Sequence, residues 1–271
     1  MVMKMSKPRF SFGKNWKEYI SKDLDEARIL EAKKSLVKFM HIDNLRGKLF
    51  LDIGCGSGLF SLAAYQMGAK VISFDIDTDS VECAKILRAK YKISHEKWKI
   101  MHGNVLDKPF MDSIPAADVV YSWGVLHHTG QMWNAMEETI KKVKKDGLLY
   151  IAIYNSLNSI FLSSSRWRQI KWLYNKSPSF VKSILVFGYM FLLFCIYTRS
   201  NRNIFDEIKN YKSHRGMSWH RDVVDWVGGY PYEYAHVGEL FDFFCKKHPF
   251  TLLNLNENTG SGCHELLFKR K

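Results

Sequence analysis

The sequence predicts an α/β fold in which helices cover a mostly parallel sheet. Three observations carry that expectation. Short apolar runs alternate with amphipathic stretches through the first 155 residues. The runs themselves, such as 49–51 and 148–151, are nearly continuous in Leu, Ile, Tyr and Phe, as strands buried on both faces require. The chain then ends in two strand-like runs joined by turn residues, the pattern of an antiparallel hairpin.

The elements follow in order. Over 23–40, Leu24, Ala27, Leu30, Leu36, Val37 and Met40 recur at helical spacing among Glu and Lys, which predicts an amphipathic helix. Strands are expected at 48–53, 70–74, 98–102, 118–122 and 148–154. Helices are expected between them at 59–67, 80–91 and 132–143. The closing hairpin pairs 250–255 with 266–269 across the turn-rich connector 256–262. Between sheet and hairpin, 155–248 is too long for a connection and too aromatic for a disordered linker, so most of it reads as a helical cap. The expected organisation is an N-terminal arm and helix (1–44), a core (45–155), a cap (156–234), and a last helix with the hairpin (235–271) that completes the core.

Composition bounds the rest. Of 271 residues, 46% are hydrophobic, enough for a full core. Forty Lys and Arg against 27 Asp and Glu leave a net charge of +13, which favours an anionic partner. Cys55, Cys83, Cys195, Cys245 and Cys263 lie far apart with no C-x-x-C pair, so neither a disulfide framework nor a metal site is expected. The start MVMKMSKPRF is not followed by an apolar segment of the secretory kind, so a reducing cytoplasm is the expected compartment.

The chemistry concentrates after the first strand. Leu51-Asp52-Ile53-Gly54-Cys55-Gly56-Ser57-Gly58 leaves a strand and enters a helix, where α/β sheets bind nucleotides. Glycine lets such a loop turn sharply and bring its N–H groups against a ligand. Asp75 ends the second strand 21 residues after Gly54, placed to accept bonds from two ribose hydroxyls, with Asp77 as its competitor. Gly103-Asn104-Val105 ends the third strand, offering an amide and an N–H for an adenine edge. The fourth strand ends at Ser122-Trp123-Gly124, facing the same crevice.

Together, DIGCGSG, FDID, GNVLD, DVVYSWGVLHH and DGLLYIAIYN resemble the ordered motifs of class I S-adenosylmethionine-dependent methyltransferases over about residues 45–155 and the hairpin. The resemblance extends to quinone-pathway and polysaccharide-cluster O-methyltransferases of bacteria. It implies a seven-stranded, mostly parallel Rossmann-like sheet with a C-terminal antiparallel hairpin, and S-adenosylmethionine as cofactor. Asp52, Gly54, Gly56 and Gly58 would surround the methionine moiety, Asp75 would hold the ribose, and Asn104 and Val105 the adenine, although Asp is commoner at position 104; Cys55, Ile76 and Ser122 are expected at the cofactor as well. Trp16, in the arm 12–16, would fold over the donor. A nicotinamide site would want a third glycine at 59, where this chain has Leu59.

For the acceptor, methyl transfer is an in-line displacement, and a hydroxyl acceptor must also lose a proton. His127 and His128, just past the fourth strand, are the expected catalytic bases, with His127 ahead; a capping or core role is the competing reading. Trp123, Tyr154 and Asn155 are expected to line the acceptor pocket. The stretch 216–233 reads as a binding loop for a ring-shaped polar acceptor through Trp219, Asp222, Trp226, Tyr230 and Glu233. The motifs of base-modifying nucleic-acid enzymes are missing from the sequence, so a small molecule or glycan is the expected substrate and nucleic acid is not. The alternatives kept open are an RNA methyltransferase using the basic cap and a non-catalytic cofactor-binding protein.

Within the cap, 184–197 is an apolar run of 14 residues, short of the roughly 20 needed to cross a bilayer. Burial in the cap or at a homodimer face is the first expectation for 183–198. Peripheral contact with the inner face of the membrane is the second, favoured by flanking Lys176, Lys182, Arg199 and Arg202.

Overall fold

The computed structural model describes residues 10, 13, 16, 24–157, 163–200, 203, 206, 208, 209 and 219–271. They fall into two units. The core unit is Gly13–Leu157 with Glu233–Lys271, and the cap unit is Met1–Phe12 with Asn158–Tyr232. Residues 216–218 of the expected binding loop, Arg202, and 12, 14 and 15 of the arm lie outside the described residues.

In the core unit the first helix, α1 (Glu26–Met40), starts where the Asp25 carboxylate accepts from the Arg28 N–H, and it buries Ile29, Ala32, Leu36 and Met40 along one face. Next come β1 (Leu49–Ile53), α2 (Leu59–Gln66), β2 (Lys70–Asp75), α3 (Thr78–Lys90) and β3 (Trp98–His102). A short helix α4 (Lys108–Asp112) follows, then β4 (Ala117–Trp123), a helical turn Leu126–His128, α5 (Met132–Ile140) and β5 (Val143–Tyr154). After the cap the chain returns through α9 (Val237–Phe241), β6 (Phe250–Asn256) and β7 (Cys263–Arg270). Among the described residues seven strands form one sheet in the order β3-β2-β1-β4-β5-β7-β6. β1 pairs in parallel with both β2 and β4, whereas β7 runs antiparallel to β5 and β6. The Rossmann-like fold and its closing hairpin are as the sequence predicts.

The central position of β1 follows from its content: Phe50, Leu51 and Ile53 have no exposed surface, so only a place covered on both faces suits them. Among the differences from expectation, two helix ends and one added helix have a clear local cause. Asp77 caps α3 by accepting from the Asp79 and Ser80 N–H groups, so that helix starts two residues early. α5 stops at Ile140 because buried Val143 already pairs with Ala117 in the sheet, past an irregularity between Ala117 and Val119. The unforeseen α4 is set by Asp107, which accepts from the Phe110 N–H, with Pro109 in its first turn.

The cap unit holds α6 (Ser164–Lys176), α7 (Ser179–Arg199) and α8 (Trp219–Gly228). Two expectations are overturned here. The aromatic stretch is not a loop from 219 onward: Trp219, Val223 and Val227 recur every four residues on the buried face of α8. α7 runs 21 residues, not 14, because Ser179, Lys182 and Ser183 continue the helix. Val186 is its one buried residue, so the apolar run is not buried in the cap.

Candidate active site

The strand order places the carboxyl ends of β3, β2, β1 and β4 side by side, and the residues that follow them form a row along that edge. In the loop after β1, the Gly54 and Cys55 N–H groups donate to the Phe74 carbonyl at 2.8 and 3.1 Å, fastening the loop to β2. Gly54 has φ +75°, and a Cβ there would lie 2.4 Å from Val125 Cγ1, so both backbone and space require glycine. The Gly56 N–H donates to Asp75 Oδ2 at 2.9 Å, and the Asp77 N–H to Asp75 Oδ1 at 2.9 Å. These two bonds fix the orientation of the Asp75 carboxylate at the tip of β2, beside the glycine loop. Ile76, the next residue, is half-buried, and its carbonyl accepts from His102 Nε2 at 2.9 Å.

Two residues of the arm lie over this loop. The Gly13 N–H donates to Asp77 Oδ2 at 3.1 Å. The indole of Trp16 stands over Gly56, where a Cβ would come within 3.1 Å of Trp16 Nε1. The ring thus packs closely on the glycine backbone, which only a residue without a Cβ allows.

The remaining donor-side residues divide by accessibility. Asn104 is half-buried, and its Oδ1 accepts from the Leu106 N–H at 3.0 Å; Val105 is buried. Asp52 is 1% exposed and accepts from Ser61 Oγ at 2.6 Å. Burial pushes its carboxyl up to about 7, with the Ser61 hydroxyl opposing and the Asp75 charge adding to the rise. Asp52 is thus an internal group that ties the end of β1 to α2 through Ser61. The Cys55 thiol is pushed well above the usual range by burial, then by Asp52 and Asp75, and stays protonated. Gly58 packs against Ala84 and Trp98 rather than facing the edge. Ser122 is also corrected as a side-chain contact: fully buried, its Oγ donates to the Ile53 carbonyl at 3.1 Å and ties β4 to β1.

The acceptor-side expectations fare differently. Trp123 is exposed at the end of β4, its indole Nε1 donating to Glu265 Oε1 at 2.8 Å, as a pocket wall would be. The histidines are reassigned. Both are buried, and His127 Nδ1 accepts from the Tyr154 N–H at 3.2 Å while its ring lies 4.0 Å from the half-buried Tyr154 ring. That bond puts the ring proton of neutral His127 on Nε2, leaving no lone pair to take a proton from an acceptor. His128 packs edge-on to the Tyr154 ring at 5.3 Å. Asn155, 9% exposed, donates to the Gly260 carbonyl at 3.3 Å, and its Oδ1 meets His264 Nε2 at 2.9 Å, so its amide serves the hairpin loop. Glu233 accepts from the Met132 N–H at 3.0 and 3.1 Å and caps α5. The sequence shows that these side chains stand near strand ends, but not that backbone groups claim them.

Trp219, Asp222, Trp226 and Tyr230 belong to the cap unit. Trp219 is buried, Asp222 and Trp226 are half-buried on α8, and the Tyr230 carbonyl accepts from the Phe10 N–H at 2.9 Å. Sequence reasoning missed Lys171 there. Its ammonium donates to the Trp226 carbonyl and sits 4.3, 4.8 and 5.7 Å from the ring centres of Trp226, Tyr232 and Trp167. Burial pulls it down to about 7, Asp225 opposing. The Trp167–Lys171 spacing of one helical turn is the signal that pointed to it. Among the described residues no group of His, Cys, Asp and Glu could hold a metal ion.

Residues 51–151 match the family described as "Methyltransferase domain". The chain is 29% identical over 153 residues to a ubiquinone biosynthesis O-methyltransferase of Pelagibacter ubique, covering 54% of this chain and 61% of that protein. It is 29% identical over 136 residues to a ribosomal protein L11 methyltransferase of Helicobacter hepaticus, covering 44% and 42%. It thus spans less than two thirds of the length of these relatives. Magnesium protoporphyrin IX methyltransferase from Synechocystis PCC 6803, solved with bound SAH, has the same fold, with a TM-score of 0.56 at 13% identity over 96% of this chain and 95% of that one.

Proposed function

Because the chain carries a class I methyltransferase domain, we propose that it takes the methyl group of S-adenosylmethionine and transfers it to a hydroxyl of a small molecule or glycan. The observation that carries the donor half is the Gly56–Asp75 bond: a carboxylate aimed by the glycine loop, with the Trp16 indole packed against that loop. A diol fits the carboxylate, and a carboxylate of the ligand fits the loop N–H groups at the start of α2.

The acceptor half rests on Trp123 and on likeness. One relative is an O-methyltransferase of ubiquinone biosynthesis and another methylates a ribosomal protein, so the shared domain supports the donor more than the acceptor. With His127 holding the Tyr154 amide, catalysis is assigned to holding the hydroxyl in line with the sulfonium: the O–C bond forms as the S–C bond breaks, the demethylated donor leaves, and the hydroxyl proton passes to solvent water rather than to that imidazole.

The test has two stages. Titration calorimetry with S-adenosylmethionine and its demethylated product reads the donor site, and absence of heat with both overturns it. Methyl-labelled donor, incubated with protein and with separate lipid, glycan, RNA and protein fractions of a cell extract, reads the acceptor. Label in the lipid or glycan fraction is expected, and label confined to RNA or protein overturns the acceptor class.

A further inference from the structure

α7 presents a stripe that the fold leaves uncovered. Phe180, Ile184, Phe187 and Phe191 are between 61 and 70% exposed, and Phe194 is 43% exposed. Their spacing of four, three, four and three residues puts all five on one face, a line roughly 20 Å long. The opposite face is engaged with α6 and α8: Tyr189 meets the Trp167 ring edge-on at 5.0 Å and feels the Asp222 charge, and the Lys182 ammonium lies 5.4 Å from the Tyr174 ring centre.

The helix is long and apolar enough to cross a membrane by length and composition. Its packing argues for a different placement. A spanning helix is ringed by lipid, or by helices equally apolar, whereas α6 brings Arg166, Arg168 and Lys176 alongside. One apolar face and one face held by a basic, water-facing helix describe a helix lying in an interface.

Charge identifies what the interface is. From 163 to 200 the chain has six Lys and Arg and no Asp or Glu, and all but Lys171 of the six keep exposed surface. Such a segment attracts an anionic surface, and the phenylalanines supply the apolar anchoring that charge alone lacks. A self-association face would be expected to carry charges of both signs around its rim, because each copy must meet its own charges.

We propose that α7 docks the protein on an anionic lipid surface, lying in the plane of the bilayer with the Phe180–Phe194 stripe at the acyl–headgroup boundary and the flanking Lys and Arg against the headgroups. This does not depend on the methyl-transfer reading.

The test is co-sedimentation of the full chain with vesicles of phosphatidylcholine alone or of phosphatidylcholine with phosphatidylglycerol. Binding to the mixed vesicles, at least ten-fold weaker to neutral ones and lost on extraction at alkaline pH, is expected. The double variant Phe187→Ser, Phe191→Ser should lower partitioning at least ten-fold while its circular dichroism and S-adenosylmethionine affinity stay unchanged. Four results overturn the proposal: no binding to either vesicle, equal binding by the variant, resistance to alkaline extraction, or a vesicle-free dimer by light scattering that the variant dissolves. If the variant fails to fold, the wild-type comparison between the two vesicles decides.

Discussion

The Gly56 N–H and the Asp75 carboxylate meet at 2.9 Å, joining the loop after β1 to the tip of β2. One carboxylate therefore shapes the glycine loop and, under the proposed function, also faces the donor ribose. Removing it should harm both. Asp75→Ala is expected to weaken S-adenosylmethionine binding by the equivalent of a charged hydrogen bond, roughly 1.5–3 kcal/mol, or about ten- to a hundred-fold in Kd. Calorimetry reads it, and unchanged affinity removes Asp75 from the site.

Gly54→Ala tests the loop differently. The new methyl would collide with Val125, and the positive φ adds roughly 1–2 kcal/mol of backbone strain. Thermal stability should fall. Pairing it with Val125→Ala should recover the steric part of the loss and leave the strain, so a full recovery would show that φ costs nothing at this position.

The reassignment of Glu233 makes a prediction opposite to that for a substrate ligand. Glu233→Ala should cost about 0.5–2 kcal/mol as a lost helix cap, lowering Tm by roughly 1–8 °C for a chain of this size. Donor affinity should hold. An unchanged Tm would argue that the cap is dispensable and reopen the acceptor role.

Lys171 predicts a pH dependence. Its native value of about 7 lies below that of a free lysine, so between about 7 and 10.5 the folded chain binds fewer protons than the unfolded one. Stability on this account rises with pH across that window, by at most about 1.4 kcal/mol per unit, and is flat below it. Lys171→Met keeps the stem and removes the titration. The difference in stability between wild type and variant, followed by denaturant titration from pH 6 to 9.5, should move in favour of wild type above pH 7. A constant difference would show that the aromatic faces hold the lysine charged throughout.

The sheet was legible because burial on both faces leaves only one kind of strand sequence, and runs such as Leu49-Phe50-Leu51 have no other comfortable place. The glycine loop and Asp75 were legible because their spacing reports a local turn. What the sequence hid is tertiary. α7 reads as core because hydropathy cannot say which apolar helices the fold leaves outside. The stretch around Trp219 reads as a loop because the Gly228-Gly229 turn outweighs the four-residue recurrence of Trp219, Val223 and Val227. His127, Asn155 and Glu233 carry suitable chemistry at suitable places, yet each is claimed by a backbone group distant in sequence.

The core strand that ends at Tyr154 and the segment that resumes at Glu233 are stitched together: the Ala235 N–H donates to the Tyr154 carbonyl at 3.1 Å, and the Glu233 N–H to the His127 carbonyl at 2.9 Å. The two core segments that flank Asn158–Tyr232 in the chain are thus hydrogen-bonded to each other. An insertion anchored in that way imposes little on the order in which the strands assemble, since the ends to be brought together are already neighbours in the finished sheet. Changes in the length of the insertion should therefore leave the pairing of β5 with its neighbours intact.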